Sequence, residues 1–223
     1  MSRRPSLPML ALLVVVSVTA NGCQQLFTTS LASFLARPPQ APVIEDAAEL
    51  QSLLPTILAD SASASAALDG VLALANAPGA TAETKKAAVE VALAASGIGD
   101  ALTDAATIAS SALSGGTVDQ AAISAVLSTV NTSGSVAEAL ALASDPSVAS
   151  DGNTLLQAGA VLALSEAAQT VNIATATPEE IAAAIPADSQ SISLLQLGSA
   201  AIQAEGGSGD LAALLAGFVG AGN

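Results

Sequence analysis

The chain has 223 residues, 19 acidic side chains against five basic ones, no histidine, no tryptophan, no tyrosine and a single cysteine. A surface that acidic repels nucleic acid and anionic lipid head groups, and without histidine the usual general base near neutral pH and the commonest metal ligand are missing. The hydrophobic fraction of 52% is inflated by alanine, so the core has to be built from Leu, Val, Ile and Ala, with three Phe to help.

Arg3 and Arg4 head an apolar run from Leu7 to Val18, and small and polar residues lead on into Cys23. That is the three-part plan of an export signal. The apolar run of about a dozen residues is too short for a membrane span of roughly 20. Ser2-Arg3-Arg4 is also similar to the opening of a twin-arginine signal, but Ser6 and Pro8 depart from that pattern, and ordinary secretion is expected.

The ending Ala20-Asn21-Gly22-Cys23 resembles the lipobox of bacterial lipoproteins. Ala20 stands where leucine is usual in that family, and Asn21 where Ala or Ser is commoner. The resemblance implies a signal peptide over 1–22, cleavage before Cys23, a diacylglycerol on the Cys23 thiol and acylation of the new amino terminus. Cys23 is the chain's one cysteine, so no internal disulfide accounts for it, and a lone exported thiol is a liability. Several acyl chains on one residue anchor durably, where a single chain binds only marginally. Gln24 follows; by the same resemblance it permits the outer membrane, where Asp would hold a lipoprotein at the inner one. The expected location is the cell membrane or outer membrane, facing periplasm or exterior.

Residues 23–42 are expected to be a lipid-anchored tether. Leu26, Phe27, Leu31, Phe34 and Leu35 recur at helix-like spacing and gather one apolar face. That face either folds back on the domain or lies near the bilayer, or it docks on a membrane partner through Phe27, Leu31 and Phe34. Arg37-Pro38-Pro39-Gln40-Ala41-Pro42 reads as a stiff spacer, because each proline fixes φ and removes an amide donor.

From 43 to 223 the sequence predicts an all-α domain of about ten short helices, since Ala and Leu favour helix and β-branched alternation is missing. The first runs over 45–59, with Pro55 kinking or ending it, and the second over 64–77, stopped by Pro78-Gly79. Thr81 caps a third, with Glu83, Lys86 and Glu90 on one face and Ala88, Val91, Ala92 and Ala95 on another. Gly97-Ile98-Gly99 breaks it, and Asp100 opens a helix to Leu113. Thr117 and Asp119 start the next, ending about Val130. Ser135 and Glu138 have capping-box spacing and open a short helix ending near Asp145-Pro146.

Asp151 or Asn153 starts a helix over 154–170 whose middle, Ala158 to Leu164, is apolar on all sides and so expected to be buried. Thr177-Pro178-Glu179-Glu180 is the strongest start signal in the chain. Helices over 191–204 and 211–219 complete the series, separated by Gly206-Gly207-Ser208-Gly209. Short connections imply antiparallel neighbours, in an array of helical hairpins or a bundle. The spacing of the start signals resembles that of tetratricopeptide and HEAT-type repeats, without the aromatic and glycine signature of the former.

Little catalytic chemistry is on offer. With Cys23 acylated no thiol nucleophile remains, and Lys85 and Lys86 sit on a helix surface furnished with Glu83 and Glu90, where ion pairing explains them. Asp100 with Asp104, and Glu179 with Glu180, are carboxylate pairs, but all four fall in first helical turns, where negative charge is favoured in any case. Asp145, Asp151 and Asn153 do not match a calcium-loop series. The expectation is therefore a non-enzymatic envelope scaffold or protein-interaction module with no catalytic residue, metal or cofactor. Its contacts would be the membrane, through Cys23, and an envelope protein. The alternative is a carrier of a small apolar ligand or lipid in a groove between helices.

Overall fold

A computed structural model describes residues 44–113, 120–148 and 150–204. The expected signal, the expected tether with Cys23, Phe27, Leu31 and Phe34, and the expected helix over 211–219 lie outside the described residues. Among the described residues the fold is all-α, as expected. Nine α-helices and one 3₁₀ turn are present and no strand: α1 Ala47–Ile57, α2 Ser61–Ala75, α3 Ala82–Ser96, α4 Ile98–Leu113, α5 Gln120–Leu127, α6 Gly134–Ala141, α7 Gly152–Ala167, α8 Pro178–Ala184 and α9 Gln190–Ala204, with the 3₁₀ turn Leu142–Ser144 after α6.

The caps set the boundaries. Asp46 accepts from the N–H groups of Ala48 and Glu49 and opens α1, which runs two residues past Pro55 before it stops. A proline in the last turn deletes a single hydrogen bond of the helix ladder, so the helix finishes rather than breaks. Asp60 accepts from Ser63 N–H and Ser63 Oγ, at 2.8 and 2.9 Å, and starts α2 three residues ahead of the expected Ala64. Thr81 caps α3 as expected. Gly97 closes it in the left-handed region at φ +68°, the conformation that glycine adopts without strain. That one residue makes the whole break: α4 begins at Ile98, and Gly99 is helical.

At α6 the expected capping box does not form. The helix starts one residue before Ser135, and the Glu138 carboxylate instead accepts from Asn76 Nδ2 at 3.0 Å, joining α6 to the end of α2. Asp151 caps α7. Thr177 and Glu180 form the complete reciprocal box at α8, with Glu180 N–H donating to Thr177 Oγ1 and Thr177 N–H donating to Glu180 Oε2.

Two helices carry the core. In α3, Ala88, Val91, Ala92 and Ala95 are buried as the spacing predicts, and Thr84, Ala87, Val89 and Ser96 are buried as well. This helix touches α1, α2, α4, α6 and α7, so its packing is not confined to neighbours in the chain. A solenoid whose repeats meet only adjacent repeats does not have that pattern; a bundle does. In α7 the stretch from Ala158 to Leu164 is buried except at Ala160, which meets the expectation drawn from its uniform apolarity.

The pairing of α7 with α9 is the tightest in the fold. A Cβ added at Gly152 would stand 2.9 Å from Gly198 O, one at Gly159 3.0 Å from Ser191 O, and one at Gly198 2.8 Å from both Gly152 O and Leu156 N. As the α7 position advances, its α9 partner moves backward, so the two helices run antiparallel across the intervening α8. Three glycines thus bring two backbones into contact, which no larger residue permits. Where the seam ends, Ser191 Oγ donates to Glu166 Oε2 at 2.7 Å and shares a 2.7 Å bond with Ser189 Oγ.

Candidate functional site

The candidate functional residues expected from the sequence, Cys23, Phe27, Leu31 and Phe34, all lie outside the described residues. Within the described residues the carboxylates can be placed directly. Asp100 and Asp104 are one turn apart on α4 and both exposed. Glu180 is committed to the α8 capping box. No group of three or more His, Cys, Asp or Glu is placed to hold a metal ion among the described residues. No described helix is long and apolar enough to cross a membrane.

The two lysines take different partners. Lys86 lies 3.9 Å from Glu90, one turn along α3, as the spacing suggests. Lys85 reaches away from the acidic residues of its own helix to Asp145, at 2.6 Å, beyond the 3₁₀ turn. The Asp145 carboxylate also accepts from the hydroxyl and N–H of Ser147. The Lys85 hydrogen bond first, and those of Ser147 next, hold the Asp145 carboxyl well below its ordinary value of 3.8.

A carboxyl depressed in the folded state adds stability that is present above its unfolded pKa and lost as pH falls through its folded value. Lys85→Met lets the Asp145 pKa rise toward 3.8. The stability lost on going from about pH 5 to about pH 2 should therefore shrink in the variant, and urea unfolding at the two pH values measures it. An unchanged loss would show that the pair contributes nothing to the acid response.

A concavity of about 550 Å³ lies between the ends of α5 and α7 and the loop that follows α7. Its aliphatic part is Leu127, Val130, Leu164, Val171 and Ile173; amides and hydroxyls of Gln169, Asn172, Ser128, Thr132 and Thr170 stand among them. The geometry follows from local chemistry. Beyond α7, Thr170 and Val171 N–H both donate to Ala167 O, and Asn172 ties the next turn by accepting from Ala174, Thr175 and Ala176 N–H. This holds Val171 and Ile173 half-buried in the same concavity as Val130, and Ser165 Oγ donates to Thr132 O at 3.4 Å, joining α7 to the loop after α5.

Sequence reasoning did not single out these residues. The available signal was two β-branched side chains, Val171 and Ile173, in a segment otherwise made of polar and small residues.

A smaller groove of about 350 Å³ lies between α1 and the start of α3, with Glu83, Lys86 and Glu90 on its wall. Glu83 accepts from its own N–H and from the Thr81 hydroxyl, which keep its pKa low, so this carboxylate belongs to the α3 cap. Compared with known proteins, the chain matches no family model, no curated protein and no solved structure.

Proposed function

We propose that the chain is a lipid-anchored, non-enzymatic scaffold of a bacterial envelope, held to the membrane at Cys23 and presenting an acidic helical bundle to a protein partner. The observation that carries the reading is the run from Arg3 to Cys23, an export signal ending in small residues and the chain's single cysteine. The bundle suits that role. Its cores in α3 and α7 are made of close-packed aliphatic residues, and both cations among the described residues, Lys85 and Lys86, are engaged in ion pairs, which suits a body of which only the acyl chains would enter the bilayer. A robust catalytic activity of the purified protein would sink the reading.

The carrier alternative draws less support from the 550 Å³ groove. An apolar ligand needs an enclosing aliphatic wall, and here amides and hydroxyls interrupt the aliphatic residues.

Growing expressing cells with an alkyne-tagged fatty acid tests the anchor. The wild-type protein is expected to carry the tag and to sediment with membranes. The Cys23→Ser protein should be unlabelled and keep its uncleaved signal, running larger than the wild-type protein on a gel. Equal labelling of both proteins, or none of either, would overturn the proposal.

A further inference from the structure

We infer that the 550 Å³ groove between α5, α7 and the loop after α7 docks an uncharged, extended peptide segment of a partner protein. The inference rests on the scaffold reading and deepens it, by naming the surface and the chemistry of what it receives.

The first observation is charge. The chain is strongly acidic, yet among the described residues no acidic or basic side chain lines this groove. A charged side chain entering it would lose water and find no counter-ion, which is costly, while an uncharged one loses nothing it cannot recover. The second observation is the pairing of surfaces. Leu127, Val130, Leu164, Val171 and Ile173 put aliphatic side chains into the lining. Beside them, among the described residues, the N–H groups of Asn172 and Ile173 and the side-chain NH₂ groups of Gln169 and Asn172 donate to no protein acceptor.

Aliphatic lining and unpaired donors together match a peptide in extended form, which offers side chains on one side and carbonyl oxygens at its edge. An acyl chain has no acceptor for those donors and would strip them of water without return. The volume falls in the range of roughly 300–1,000 Å³ typical of ligand clefts.

The test uses the full-length protein in detergent and a phage-displayed library of random linear peptides as the probe. Two isosteric changes, Gln169→Glu and Asn172→Asp, place negative charge in the groove at exposed positions; Asp at 172 keeps the acceptor that holds Ala174. Gln196→Glu, exposed on α9 and remote from the groove lining, is the charge-matched control.

Selected peptides are expected to share an uncharged, aliphatic run, to bind the double variant about tenfold or more weakly, and to bind the Gln196→Glu protein as they bind wild type. Failure to select any sequence, or binders that hold the double variant as well as wild type, would overturn the inference. So would Lys- and Arg-rich binders weakened by no groove change, which would reflect attraction to the acidic surface at large.

Crosslinking in cells separates this failure from that of the scaffold reading. A partner captured equally by wild type and the double variant removes the groove and leaves the scaffold. Capture of no partner by either removes both.

Discussion

Replacing Gly198 with alanine is expected to cost about 2 kcal/mol of stability, while the same replacement at Gly70 is expected to add about 0.5–1 kcal/mol. Both glycines are interior to helices, and in both places alanine gains the usual propensity advantage. They differ in what the new methyl meets. At Gly70 nothing lies within 4 Å. At Gly198 the methyl would stand 2.8 Å from Gly152 O and from Leu156 N, with Leu156 Cγ at 2.9 Å.

Two of those three atoms are backbone, so no rotamer change relieves the overlap, and α9 has to move away from α7 along its length. Gly159, whose own Cβ would meet Leu195 N and Ser191 O at 3.0 Å, would lose its contact as the helices part. Urea denaturation of the three proteins measures the difference directly. A Gly198→Ala protein as stable as Gly70→Ala would contradict the close-packed seam.

The second large effect lies in α6. Leu140 is 0% exposed, on a helix that packs against α2, α3 and α7. Leu140→Ala removes buried methyl groups and leaves a cavity, a change that costs 2–5 kcal/mol in packed cores, and about 3 kcal/mol is expected here. Against a typical total of about 5–15 kcal/mol this is a large share, and thermal unfolding should shift down by roughly 6–12 °C. Leu197 is the built-in control, because it is 55% exposed and its replacement by Ala should stay within about 0.5 kcal/mol. Similar losses at both positions would mean that α6 is not buried as described.

Where the fold was legible in sequence, local chemistry decided the outcome. Thr177-Pro178-Glu179-Glu180 holds its whole signal in four residues, and the box forms with both hydrogen bonds. Thr81 caps as expected for the same reason, and of the two starts left open, Asp151 and Asn153, Asp151 is the cap. The uniform apolarity of Ala158 to Leu164 marked a buried helix because no face of it could be left to water.

What escaped was set by contacts distant in the chain. Ser135 and Glu138 have the spacing of a box, but Asn76, 62 residues away from Glu138, offers its carboxylate a partner. Lys85 had acidic residues on its own helix and pairs with Asp145, 60 residues on. The three glycines of the α7–α9 seam are scattered singly through α7 and α9, and only the approach of two backbones gives them meaning. The groove was hidden likewise. Val130, Leu164 and Ile173 belong to three segments that tertiary packing brings together, and no motif joins them in sequence.

The most direct test of the scaffold claim is crosslinking of the full-length protein in living cells, followed by detergent extraction and mass spectrometry of what stays attached. The expected result is one dominant envelope protein, captured by wild type and lost when Phe27 and Phe34 of the tether are changed to Ser. Recovery of lipid or a small molecule alone, with no protein partner, would contradict a scaffold and turn attention to a carrier.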